Sequence, residues 1–133
     1  MSITRIPATP AARTTIWCLA LYAVGQGAWM TLAGAHRIGG AAYTLMRELP
    51  NAHLVWGLWA FLAGVVILIG SRLRLWRLKA AGLLALSAWS TCLAVSATTA
   101  SLTIPNSGTT GGPTYLLIAF LAAIVVAIDE SSP

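Results

Sequence analysis

Polar and apolar positions in this chain separate on the scale of whole segments. Four runs carry no charged residue at all: 15–35, 54–70, 80–103 and 114–128. Charge collects between them, above all in the stretch Ser71 to Lys79, which reads Ser-Arg-Leu-Arg-Leu-Trp-Arg-Leu-Lys. A helix needs about 20 mostly apolar residues to cross a hydrocarbon core of about 30 Å. The pattern therefore predicts an all-α membrane protein with four transmembrane helices. The fourth run is the shortest: at 1.5 Å per residue it reaches only about 22 Å. A span of that length must thin the bilayer locally or hide its ends in a bundle.

The intervals read differently from one another. Residues 1–14 hold Arg5, Arg13, Pro7 and Pro10 and are expected to form an irregular basic tail. In the first connection, 36–53, Gly39-Gly40 and Pro50 are breakers. Between them Ala42, Leu45, Met46 and Leu49 recur at helical spacing, opposite Thr44, Arg47 and Glu48. That spacing suits a short interfacial helix over 40–49, with an irregular loop as the alternative. The Arg-Leu alternation after Ser71 imitates a strand, but an open strand at a membrane edge would leave backbone groups unpaired. A tight turn is expected instead. Pro105, Asn106, Ser107, Gly108, Gly111 and Gly112 predict a flexible turn, and Pro113 suits the first turn of the last helix. A short acidic tail, 129–133, begins with Asp129 and Glu130.

A secretory signal peptide is the rival reading of the first run, because basic residues precede it and Ala33-Gly34-Ala35 resembles a cleavage site. The run exceeds the usual h-region of about 7–15 residues and includes Gln26 and Trp29. An uncleaved span is the expectation.

Composition narrows the class. The chain has 133 residues, 58% of them hydrophobic and 8% charged, with a mean hydropathy of +0.81. Soluble domains carry about 25% charged residues, so a water-facing surface cannot be assembled from these. The net charge of +5 lies beside apolar spans, where it sets orientation. Arg5 and Arg13 join Arg72, Arg74, Arg77 and Lys79 on one side; Arg37 and Arg47 lie on the other. The more basic side is cytoplasmic, which gives an N-in/C-in bundle over 15–128. Trp17 and Trp76 then fall near the inner boundary, and Trp56, Trp59 and Tyr115 near the outer one, where amphipathic rings favour the headgroup level. The four cations of the 71–79 island are expected to contact anionic headgroups as well. Nucleic acid is not an expected partner.

Chemistry has few carriers here. No acidic or basic residue lies inside a run, whereas proton-coupled transport needs a titratable group within the membrane. The four-span small multidrug exporters are of similar size, but their coupling uses an acidic residue in the first span, where this chain has Gln26. Cys18 and Cys92 lack motif spacing and read as packing residues. His36 and His53 read as interfacial. Neither a nucleophile with its base nor a metal box nor a phosphate-binding loop is recognisable. The expectation is a non-enzyme without cofactor, metal or small-molecule substrate.

Uncharged polar residues do form a pattern. Ser87, Ser90, Thr91 and Thr98 share a face of the third run. They serve either to pack and hydrogen-bond helices or to line a water-filled space once copies assemble. Small residues four apart offer association faces: Ala23, Gly27 and Thr31 on the first run, Ala60 and Gly64 on the second, and Ala119, Ala123 and Ala127 on the fourth. Homo-oligomerisation is expected.

The chain also resembles a family. Four apolar spans, the outer Arg47-Glu48-Leu49-Pro50, the Arg-Leu inner turn and Gly111 to Leu117 (Gly-Gly-Pro-Thr-Tyr-Leu-Leu) are similar to small membrane proteins encoded by phages of actinobacteria. Many of those are holins or holin-like. The resemblance implies a self-associating protein of the bacterial host's inner membrane that permeabilises it, as a pore or lesion, during host cell lysis. A structural or regulatory membrane subunit, such as an immunity or accessory factor, is the alternative, and a small-solute transporter a more distant one.

Overall fold

The computed structural model describes residues 9–34, 43, 45–105 and 111–130, with the side chains of the last helix described from 112 to 126. Four α-helices follow one another: α1 (Pro10–Ala33), α2 (Ala52–Arg72), α3 (Trp76–Thr103) and α4 (Gly111–Glu130). Among the described residues there is no strand. α1, α2 and α3 are long and apolar enough to cross a membrane; the corresponding apolar stretch of α4 is Gly112–Val126.

Every helix begins before the run that predicted it, while α1 stops two residues short of its run at Ala33. Pro10, expected in an irregular tail, begins α1. Its missing N–H costs nothing at a first helical position, and Thr9 Oγ1 accepts the N–H of Ala12 at 3.3 Å. Gly34, at φ 67°, then turns the chain out of α1 in a region that a side chain would disfavour. Gly111 and Gly112 belong to the first turn of α4 instead of a flexible connection, and Asp129 and Glu130 to its end. With 20 residues, α4 is about 30 Å long, but its apolar stretch, Gly112–Val126, covers only about 22 Å and keeps the shortfall against a bilayer core.

The first connection departs further from expectation. Over Met46–Glu48 it forms a single 3₁₀ turn, with Met46 buried while Leu45 and Leu49 are exposed. The anticipated apolar face is thus split; residues 40–42 and 44 lie outside the described residues. Asn51 leads into α2 with φ 53°, a left-handed conformation that its short polar side chain tolerates.

The 71–79 stretch is a turn of three residues. Arg72 ends α2 and Trp76 begins α3. The N–H of Leu75 reaches Gly70 O at 2.9 Å and that of Leu73 reaches Ile69 O at 2.9 Å. Between them Arg74 has φ 55°. A six-to-one backbone bond around a left-handed residue is the Schellman ending of a helix, and glycine is its usual occupant. Here the position holds an arginine.

Neighbouring helices are antiparallel. Gly27 of α1 faces Gly57 and Phe61 of α2, whereas Ala20 and Val24 face Gly64 further along. Gly70 of α2 lies against Lys79 at the start of α3, and Gly82 against Ala63 and Ile67. Gly112 of α4 lies beside Thr98 and Ala94. α1 packs on α2, α2 on α3 and α3 on α4, while α1 and α4 meet only at a few positions. The N-terminal end of α1, the basic turn and the C-terminal end of α4 therefore share one end of the bundle.

The core mixes alanines and glycines at the crossings with larger fillers. Met30, Ile67, Leu83, Leu86, Trp89 and Leu93 are fully buried. Outward faces are apolar too: Leu21, Leu32, Leu62 and Phe120 are 57–85% exposed. Apolar inside and outside is the pattern of a bundle solvated by lipid, where water would penalise such a surface.

Candidate functional site

Two members of the hydroxyl stripe of α3, Ser87 and Thr98, lie at its contact with α4. Ser87, half-buried, donates to Ala119 O across the interface at 3.0 Å. One cβ added to Gly112 would come within 2.6 Å of Thr98 Oγ1, so Thr98 also meets α4 although it is exposed overall. Thr91 is exposed and bonds back to Ser87 O at 2.8 Å. Ser90 is 0% exposed and its Oγ has no hydrogen-bond partner. A buried hydroxyl without a partner is destabilising, by about 1–3 kcal/mol. In the single chain, then, Ser87 and Thr98 pack against α4, Thr91 lies at the rim, and Ser90 is enclosed.

The small-residue faces of α1 and α2 meet each other. Ala23 and Ala60 are 0% exposed, and Gly27 and Gly64 are buried at the same contact. Thr31 turns its hydroxyl back to Gly27 O at 2.8 Å and lies against Gly57. These five residues are engaged within the chain. On α4, Ala119 is buried against α3, but Ala123 is exposed, and the side chain of Ala127 lies outside the described residues. The buried face continues instead through Ala122, Val125 and Val126. The interface therefore follows the i, i+3, i+7 row Ala119, Ala122 and Val126 and leaves Ala123 on the outer side of it.

Of the basic island, Arg72, Arg74 and Arg77 are exposed, whereas Lys79 is half-buried beside Gly70. Trp17 and Trp76 are exposed at the same end of the bundle, at 40% and 37%. Cys18 and Cys92, expected to pack, are both exposed free thiols. His53 is half-buried and His36 lies outside the described residues. Among the described residues no group of three or more His, Cys, Asp or Glu could hold a metal.

An aromatic cluster is the feature that the residue pattern did not reveal. Trp56 and Trp59 stack with centroids 5.4 Å apart and planes 12° apart. Their indole N–H groups donate to Met46 O at 3.2 Å and Ala85 O at 3.1 Å. Trp89 donates to Trp56 O at 3.0 Å and meets Tyr115 edge-on at 6.3 Å. The Tyr43 and Tyr115 hydroxyls lie 3.1 Å apart. This chain of contacts joins the first connection, α2, α3 and α4. The expected headgroup role of Trp56 and Trp59 is thereby modified: their polar edges are satisfied by protein carbonyls.

Comparison of the chain with protein-family models, with curated proteins and with solved structures gave no match. What its own structure defines is an all-helical bundle with apolar outer faces, three of whose helices suit a bilayer.

Proposed function

We propose that this is a non-enzymatic, self-associating integral membrane protein of holin type, with four spans and both termini in the cytoplasm. The observation that carries the reading is the α3–α4 contact. Its cross-helix hydrogen bond, Ser87 to Ala119 O, comes from a neutral hydroxyl, and the contact also contains Thr98 against Gly112. Interhelical bonds of this kind contribute about 0.6 kcal/mol each in a membrane. The α1–α4 seam is sparse, whereas α3 and α4 pack closely. In a cluster, the sparse seam leaves faces of α1 and α4 free to contact a second copy. The hydroxyl stripe, of which Ser87 and Ser90 are covered in the single chain, would then face water. A lesion built from many copies requires no substrate site. The cell membrane of a bacterial host is the location this reading implies.

Induction of the gene alone in a bacterial host tests it: the membrane should depolarise and a cytosolic marker should escape. A second reading, a rigid structural or regulatory subunit, is favoured by the aromatic cluster, which ties α2, α3 and α4 to the first connection. Stable copurification with one different membrane protein, without permeabilisation, would select that reading.

A further inference from the structure

Six consecutive residues, Arg72 to Arg77, are all exposed. Arg72, Arg74 and Arg77 are exposed, and between them Leu73, Leu75 and Trp76 are 61%, 50% and 37% exposed. Three cations and three large apolar side chains are thus interleaved across the turn and the helix ends that flank it. Arg13 and Trp17 of α1 are exposed at the same end of the bundle.

Orientation alone would be served by cations anywhere on this side of the spans. Yet Arg74 stands at φ 55°, where the backbone favours glycine. A charged side chain maintained against that preference points to a contact made by its guanidinium. Guanidinium groups recognise phosphate oxygens through paired N–H donors. Exposed leucines and a tryptophan beside them have no use for a soluble anion, whereas they suit the boundary between headgroups and acyl chains. Charge and apolarity together select one occupant.

We propose that the 72–77 turn is a discrete docking site for anionic phospholipid, with Arg74 on the headgroup phosphate, Arg72 and Arg77 beside it, and Leu73, Leu75 and Trp76 in the acyl boundary. The inference rests on the chain residing in a bilayer and is independent of permeabilisation.

The test uses the full chain reconstituted in phosphatidylcholine vesicles with trace spin-labelled phosphatidylglycerol or spin-labelled phosphatidylcholine. The fraction of each lipid immobilised by protein gives a relative affinity. The native chain should prefer phosphatidylglycerol, and Arg74→Gly, which suits the backbone, should reduce that preference by about fivefold. The double variant Arg72→Gln/Arg77→Gln should lower it further, while Arg47→Gln in the first connection should leave it unchanged. Equal loss in Arg47→Gln, or no loss in the turn variants, would overturn the proposal. Displacement of the labelled lipid by inorganic phosphate at matched ionic strength would overturn the choice of lipid over soluble anion. Loss of lipid preference with dye leakage intact would separate this site from the permeabilising activity.

Discussion

Gly27 and Gly57 bring the backbones of α1 and α2 into direct contact. A Cβ on Gly27 would stand 2.6 Å from Gly57 O and 2.7 Å from Phe61 Cα. Neither partner is a flexible side-chain tip, so the helices would have to separate. Gly25, two residues away, has nothing within 4 Å of its Cβ position. Gly27→Leu should therefore destabilise the bundle by about 3 kcal/mol, the upper part of the range for overpacking. Gly25→Leu should be nearly neutral. Thermal unfolding in detergent, followed by helical circular dichroism, distinguishes the two; equal effects would refute the crossing.

Two serines of the same helix should respond differently. Ser87→Ala removes the bond to Ala119 O and should cost about 0.6 kcal/mol. Ser90→Ala removes a hydroxyl that is buried without a partner, and should be neutral or stabilising. Denaturant titration of each variant in mixed micelles gives the sign directly.

The aromatic cluster is predicted to hold the first connection to the bundle. Trp89→Phe removes the indole donor to Trp56 O, which keeps its helical partner, so the lost bond alone should cost about 0.5–1.5 kcal/mol. Tyr43→Phe interrupts the Tyr43–Tyr115 hydroxyl pair. Hydrogen exchange at residues 45–48 should accelerate in both variants, and an unchanged pattern would show that the cluster does not restrain this segment.

Arg74→Gly should raise the unfolding temperature even as it removes a charge. A non-glycine residue in the left-handed region costs roughly 1–2 kcal/mol. Glycine gives part of that back through its freer unfolded chain, leaving a gain of about 0.5–1 kcal/mol. A lower unfolding temperature in neutral detergent, where no anionic lipid contributes, would contradict the strain.

These relationships differ in how plainly the residue order announces them. The helices are legible because charge is excluded from runs of membrane length, and a bilayer leaves helix as the way for such a run to satisfy its backbone. Their ends are less so: Pro10 looks like a tail residue until Thr9 is seen capping the turn after it. Tyr43 and Tyr115 are 72 positions apart, and no periodicity links them. Trp56 and Trp59 carry a belt signature, yet which side of α2 meets α3 depends on the crossing of two helices. The same rotational uncertainty put Ala123 on a contact face that Ala122 occupies. At Arg74 the missing signal is glycine itself, the residue by which such a turn is ordinarily recognised.

The permeabilising role is tested most directly by inducing this chain alone in a bacterial host while recording membrane potential and the release of a cytosolic enzyme, with insertion verified in isolated membranes. The account predicts an abrupt collapse of potential accompanied by enzyme release once enough copies have accumulated. Sustained growth with a polarised membrane, at high levels of inserted protein, would contradict it.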